Sequence, residues 1–190
     1  MASNTQDKII AKIEDLAKQQ DFVIVAIDGD AAGGKTTLAK TLSEHFKCNV
    51  IHMDDFFVPQ ELRTTKRTEE IGGNIHYERF EQEVIIPLAQ KQPVNYRRYD
   101  CSIWSYADEI IINPQKIIII EGSYSLHPNF IDIYDLKIFI NIDETKQMLR
   151  ITARNGETMA QKFKQIWIPM EKTYQNRFQI KSNCDFIINA

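Results

Sequence analysis

The stretch Gly29-Asp30-Ala31-Ala32-Gly33-Gly34-Lys35-Thr36 meets the spacing G-x-x-x-x-G-K-[ST] in full. Glycines lack the Cβ that would block close approach, so successive backbone N–H groups can curl around phosphate oxygens as a concave anion nest. A helix opening near Lys35 would add its positive dipole end to the same place. Lys35 supplies a point charge for the β and γ phosphates of a triphosphate, and Thr36 a hydroxyl for Mg²⁺. With Thr37 next in line, residues 29–37 form the candidate binding set for ATP, and ATP with Mg²⁺ are the expected cofactors.

Phosphoryl transfer also needs carboxylates that hold the metal and orient the attacking oxygen. Glu121 follows the apolar run Lys116-Ile117-Ile118-Ile119-Ile120 and so stands at a strand end, where a metal-side acid is expected. Asp54 follows a second strand and would face the γ-phosphate from the substrate side, as acceptor of a hydroxyl proton and as a further candidate on the metal. Asp55 competes for the same role, and the residues by themselves barely separate the two.

Elements must bring these groups together. Ile9, Ile10, Ile13, Leu16 and Ala17 recur at helical spacing, which predicts an N-terminal helix from about Thr5 to Gln19, within residues 1–20. The β-branched run Phe22 to Ile27, ended by a Gly-rich turn, reads as a strand buried on both faces of a parallel sheet. A helix follows from Lys35 to about Phe46, and then a strand over Asn49 to Met53. Residues 77–90 read as a helix with Phe80, Val84 and Leu88 inward, and Val94 to Tyr99 with Glu109 to Ile112 as a hairpin-like excursion. Lys116 to Ile120, Leu136 to Ile140 and Phe186 to Ile188 are further strands, with helices from about Glu144 to Arg154 and Ala160 to Gln175 between them. Alternating strands and helices imply an α/β fold with a parallel sheet, whose ligands sit beyond the carboxyl ends of the strands.

Charge and composition exclude several classes. Lys and Arg total 23 against 26 Asp and Glu, so the basic excess of a nucleic-acid binder is missing. The three cysteines, Cys48, Cys101 and Cys184, are scattered and give neither a zinc spacing nor a disulfide framework. The N-terminus lacks a secretory apolar core, and the most apolar stretch, Ile110 to Ile120, is broken by Asn113-Pro114. A cytoplasmic protein is expected, with a small-molecule partner, no membrane and a possible homo-oligomer. His45, His52, His76 and His127 form no ligand-like pattern and are read as structural.

Ala26 to Ala39, Met53-Asp54-Asp55-Phe56-Phe57 and Ile120-Glu121-Gly122 together resemble the uridine kinase / phosphoribulokinase superfamily of P-loop kinases. The resemblance runs from about Phe22 to the C-terminus and is dense only at these motifs. It implies a P-loop NTPase fold, a three-layer α/β/α arrangement with a mostly parallel five-stranded sheet and a small helical lid. It also implies one kinase domain over 1–190, with a substrate-side insertion at about 92–113 and a lid at about 143–165. The implied activity is ATP-dependent phosphorylation of the 5′-hydroxyl of a nucleoside. Asp54 is then favoured as catalytic base and Glu121 as the acid of the Mg²⁺ shell, with Lys35, Arg150 and Arg154 at the phosphates. Phe57, Glu78, Tyr99 and Trp104 fall on the substrate side, Glu78 against the ribose hydroxyls and Tyr99 as a pocket ring. Trp104 stands where uridine kinases carry a base-reading His, and Arg154-Asn155 replaces the usual Arg-Asp of the lid. Residues 53–59 and 166–170 with Tyr174 also resemble nicotinamide riboside kinases, so that a kinase of this riboside or of another small alcohol is the alternative. A regulatory NTPase switch and a non-catalytic nucleotide-binding protein are the alternatives of another class, although the guanine-reading segment Asn-Lys-x-Asp is absent.

Overall fold

The protein is described by a computed structural model covering residues 2–190. The expected N-terminal helix is α1, Ala2–Gln19; Met1 lies outside the described residues. β1, Val23–Gly29, is buried along its whole length, as an uncharged β-branched run between two helical layers must be. It leads through the glycine loop into α2, Lys35–Phe46. β2 is Asn49–His52, β5 Ile117–Glu121, β6 Leu136–Asn141 and β7 Phe186–Asn189. These strands form one sheet in the order β2-β5-β1-β6-β7, and every pairing is parallel.

Side chains alternate across β1 into two cores. Val23, Val25 and Ile27 pack with Ile9 and Ile13 of α1 and with Leu38 and Leu42 of α2. Ile24 and Ala26 face the other way, into a core shared with Phe80, Val84, Leu88 and Tyr174. The helical layers on both sides of the sheet make the expected three-layer α/β fold.

The hairpin excursion is present as a separate two-stranded sheet, β3 (Val94–Asp100) against β4 (Ser105–Ile112), with an irregular register between Arg97 and Tyr99. Between β2 and β3 lie the short helix α3, Thr65–Glu69, and then α4, residues 77–89. Short 3-10 turns and α3 within residues 53–69 carry no apolar periodicity, so nothing in the sequence pattern announces them. Met53 accordingly opens a 3-10 turn rather than ending a strand.

α5 is Glu144–Asn155, and Gly156 at φ 77° separates it from α6, residues 157–177. Both α4 and α6 widen into one π-helical turn, at Glu81–Ile85 and Phe163–Trp167, shortly before Pro87 and Pro169. A proline ring clashes with the carbonyl a turn back and brings no N–H, and the wider turn lets each helix pass it without stopping. Ile151, Ala160 and Ile168 of α5 and α6 pack on Ala31, so these helices rest directly on the glycine loop.

Candidate active site

Sheet order decides what meets. β5 lies between β1 and β2, so the ends of β1, β2 and β5 open on one cleft. Gly29 leaves β1 at φ 145°, and a Cβ built there would stand 2.2 Å from the Ile140 carbonyl oxygen, so the turn admits no side chain. Gly34, at φ 108°, delivers the chain into α2, whose first amides have no capping side chain among the described residues. A glycine loop running into an uncapped helix start fits a phosphate group. Lys35 Nζ lies inside the loop, 2.7 Å from Gly29 O, 3.0 Å from Asp30 O and 3.2 Å from Ser123 Oγ.

Thr36 Oγ1 donates to Glu121 Oε1 at 3.1 Å, bringing the two metal-side candidates together. The same carboxylate oxygen lies 2.6 Å from His52 Nδ1. Glu121 is 4% exposed, and its hydrogen bond raises the His52 ring above the ordinary histidine range, against the opposing effect of burial. Among the described residues no three His, Cys, Asp or Glu side chains converge as a metal cage. A hydroxyl and one carboxylate fit Mg²⁺, which keeps several waters and takes phosphate oxygens rather than an all-protein shell.

The structure separates the paired aspartates. Asp55 is 7% exposed and accepts from the Tyr96 hydroxyl at 2.9 Å. Asp54 is open to water at the cleft, although protein atoms crowd it on most sides. That enclosure pushes its carboxyl above the usual range, the Lys35 charge opposing and the Glu121 and Asp55 charges adding to the shift.

Beneath the loop lies a buried polar layer that the motifs do not reveal. Asp28 accepts from the Gly29 and Leu126 amides at 2.6 and 3.1 Å and from the Tyr174 hydroxyl at 2.8 Å. The Asp30 side chain turns away from the phosphate side, accepting from the Ile142 amide and from Gln175 Nε2. Asp30 therefore offers the nucleotide only its backbone. Glu171 accepts from the Ala31 amide at 3.0 Å and from the Ser123 hydroxyl at 2.7 Å.

Beyond residues 53–57 opens a cavity of about 720 Å³, its wall including Val58, Leu62, Arg67, His76, Tyr77 and Glu78. A nucleoside-sized ligand fits such a volume. Glu78 is on this wall as expected, with Arg67 bonded to both its carboxylate oxygens at 2.6 and 2.9 Å. Tyr77 stands between the Arg67 guanidinium, 4.1 Å from its ring, and the His127 ring, stacked at 5.1 Å. Phe57 is half-buried and bridges Ile75. Tyr99 is 3% exposed, its hydroxyl accepting from the Gln60 amide and its ring edge-on to Tyr106, so neither face is free for stacking here. Trp104 is 50% exposed in the β3–β4 turn, with the Arg63 guanidinium 4.9 Å from its ring.

The sequence matches the Phosphoribulokinase / Uridine kinase family over residues 24–189. The chain belongs to that family. It is 26% identical over 165 residues to a uridine kinase of Latilactobacillus sakei subsp. sakei (strain 23K), spanning 82% of this chain and 77% of the relative. A uridine kinase of Bacillus cereus (strain AH187) is 30% identical over 156 residues, spanning 72% of this chain and 70% of the relative. The fold is similar to the solved structure of a possible uridine kinase from Bacillus stearothermophilus, with TM-score 0.69 at 18% identity over 95% of this chain and 99% of that one. Membership of this kinase family makes the glycine loop a nucleotide-binding P-loop and the protein a phosphotransferase in type.

Within this family member the two arginines expected in a lid part company. Arg150 Nη1 donates to Ala32 O and Gly33 O at 3.2 and 3.4 Å, beside the P-loop. Arg154, expected to share that position, instead donates to Asn155 Oδ1 at 2.7 Å and lies 5.9 Å from the Phe163 ring. Four residues along a helix advance the side chain by about 6 Å, which carries Arg154 past the loop even on the same face. His52, read as structural, lies in the site, and its position two residues before Asp54 was the available signal. Ser123 had a weaker one, directly after Glu121-Gly122. Glu171, Arg67 and Tyr77 had none, because only packing brings their segments to the cleft. Among the described residues, no helix is long and apolar enough to cross a membrane.

Proposed function

We propose that the protein transfers the γ-phosphoryl group of ATP to the 5′-hydroxyl of a nucleoside, in the manner of a uridine/cytidine kinase. The observation that carries this reading is the placement of Asp54. Its open carboxylate stands within electrostatic reach of Lys35 and Glu121, and the short segment that follows it leads to Val58 on the cavity wall. The P-loop, residues 29–37, holds the triphosphate, with Lys35 at the β and γ phosphates. Thr36 and Glu121, with Asp54 beside them, would hold Mg²⁺, which would supply charge neutralisation at the phosphates. The acceptor hydroxyl oxygen forms its bond to the γ phosphorus as the bond to the bridging oxygen of ADP breaks. The hydroxyl proton passes to Asp54, and the bonding pair leaves with ADP. Arg150 faces the transferred group from the lid side, and Arg154 is a second lid candidate. Glu78, held by Arg67, faces the ribose hydroxyls, while Phe57, Tyr99 and Trp104 shape the acceptor side. Positioning and charge stabilisation account for the catalysis.

A second acceptor, nicotinamide riboside, is favoured by residues 53–59 and 166–170 with Tyr174, which resemble the kinases of that riboside. Purified protein assayed for ADP release with uridine, cytidine and nicotinamide riboside tests both readings. The expected result is release that depends on one riboside and is abolished by Lys35→Ala. Release indifferent to every alcohol would instead mark a regulatory NTPase switch, and tight ATP binding without release a non-catalytic nucleotide-binding protein.

A further inference from the structure

Glu171 is 7% exposed, lies on α6 far in sequence from every motif of the site, and yet reaches the P-loop. One oxygen accepts from the Ala31 amide, and the other takes the proton of the Ser123 hydroxyl. A serine hydroxyl has one proton to give. Because the carboxylate takes it, a Ser123 lone pair is turned toward Lys35 Nζ, 3.2 Å away. The remaining ammonium bonds go to the backbone oxygens of Gly29 and Asp30. Ser123 is thus the side-chain acceptor among the ammonium's three partners, and Glu171 sets the direction of Ser123. A carboxylate is a costly group to bury, and here the Ala31 amide and the Ser123 hydroxyl offset that cost by donating to its two oxygens.

We propose that Glu171 and Ser123 are positioning residues for Lys35, a relay that holds the ammonium in place for the phosphates and ties α6 to the P-loop. The inference rests on the nucleotide-binding part of the proposed function and not on the identity of the acceptor. It runs against simple electrostatics. Removing a negative charge beside a phosphate site should, by charge alone, tighten nucleotide binding. The relay requires the opposite, since Glu171→Gln keeps an oxygen for the Ala31 amide but turns an NH₂ group toward Ser123, where it competes with Lys35.

The test is calorimetric binding of a non-hydrolysable ATP analogue to Glu171→Gln, Ser123→Ala and the double variant. Thermal unfolding verifies that each variant is folded. Ser123→Ala removes only a hydroxyl from a half-buried site and keeps the test informative should Glu171→Gln fold poorly. Each single variant should bind about tenfold more weakly, the loss expected for one hydrogen bond to a charged group. The double variant should bind no more weakly than the worse single one, because both act on the same ammonium. Wild-type affinity or tighter in either single variant overturns the proposal, as do penalties that multiply in the double variant. A wild-type protein that binds the analogue but phosphorylates no riboside sinks the nucleoside reading and leaves this test intact.

Discussion

His52 and Glu121 are register partners across β2 and β5, and the His52 Nδ1 stands 2.6 Å from the Glu121 oxygen that Thr36 also reaches. The carboxylate proposed for the Mg²⁺ shell is thereby held by a ring on the neighbouring strand. Groups that orient metal ligands in this way change metal affinity or activity by about 10–100-fold when removed. His52→Asn should raise the Mg²⁺ concentration for half-maximal activity about tenfold, with little change in the melting temperature. A magnesium titration of turnover reads the difference.

Asp54 and Asp55 should behave differently despite being adjacent. Asp54→Asn removes the proton acceptor and should lower kcat by about 10²–10⁴-fold in a protein that melts normally. Asp55→Asn weakens the buried bond from Tyr96 and should lower the melting temperature while leaving kcat within about tenfold of wild type. Parallel kinetics and thermal unfolding distinguish them, and full turnover in Asp54→Asn would remove that residue from the base role.

Arg150 and Arg154, the arginines proposed for the lid, give an equally sharp contrast. Arg150→Ala removes a guanidinium held against the P-loop carbonyls and should reduce kcat by about 10²-fold. Arg154→Ala should cost only a few-fold, since its partner is Asn155. Equal losses in the two variants would mean that the lid closes further than this arrangement.

Gly29→Ala tests the turn into the loop. Its Cβ would meet the Ile140 backbone at 2.2 Å, and the backbone φ of 145° is one that side chains strain to adopt. A loss of about 3 kcal/mol or more in unfolding free energy is expected, within the range of strongly destabilising substitutions. Chemical denaturation measures it, and a variant as stable as wild type would show that the sheet can shift there.

His127 is buried against Tyr77, its Nδ1 accepting from the Asn129 amide, and burial holds its ring below the ordinary histidine value of 6.5. The unfolded chain therefore takes up a proton at a pH where the folded protein does not. Stability from this group is full above 6.5 and declines as pH falls from 6.5 toward the lower folded value. His127→Phe should flatten that part of the stability-pH curve, and a slope unchanged from wild type would assign it to other groups.

The motifs of the strand ends were legible because they are local. The residues that make a glycine loop, the run that makes β1 and the acid that ends β5 are each a few positions long, and backbone sterics or burial fixes what they form. Residues 60–74, by contrast, are mostly polar, short-turned and without periodicity, and so Arg67 and much of the cavity wall could not be read from them. Tyr99 was legible as an aromatic beside an acid, while its burial against Tyr106 and the Gln60 amide was not.

By itself the sequence determined a parallel α/β sheet, a phosphate-binding loop after its first strand and carboxylates at two further strand ends. Only the tertiary structure decided which aspartate is open, which arginine meets the loop, and that His52 meets Glu121 while Ser123 and Glu171 line up behind Lys35. The physical reason is range. Local conformation follows from neighbours along the chain, whereas the direction of a side chain in a cleft follows from sheet order and helix packing, which join segments as far apart as Ala31 and Glu171.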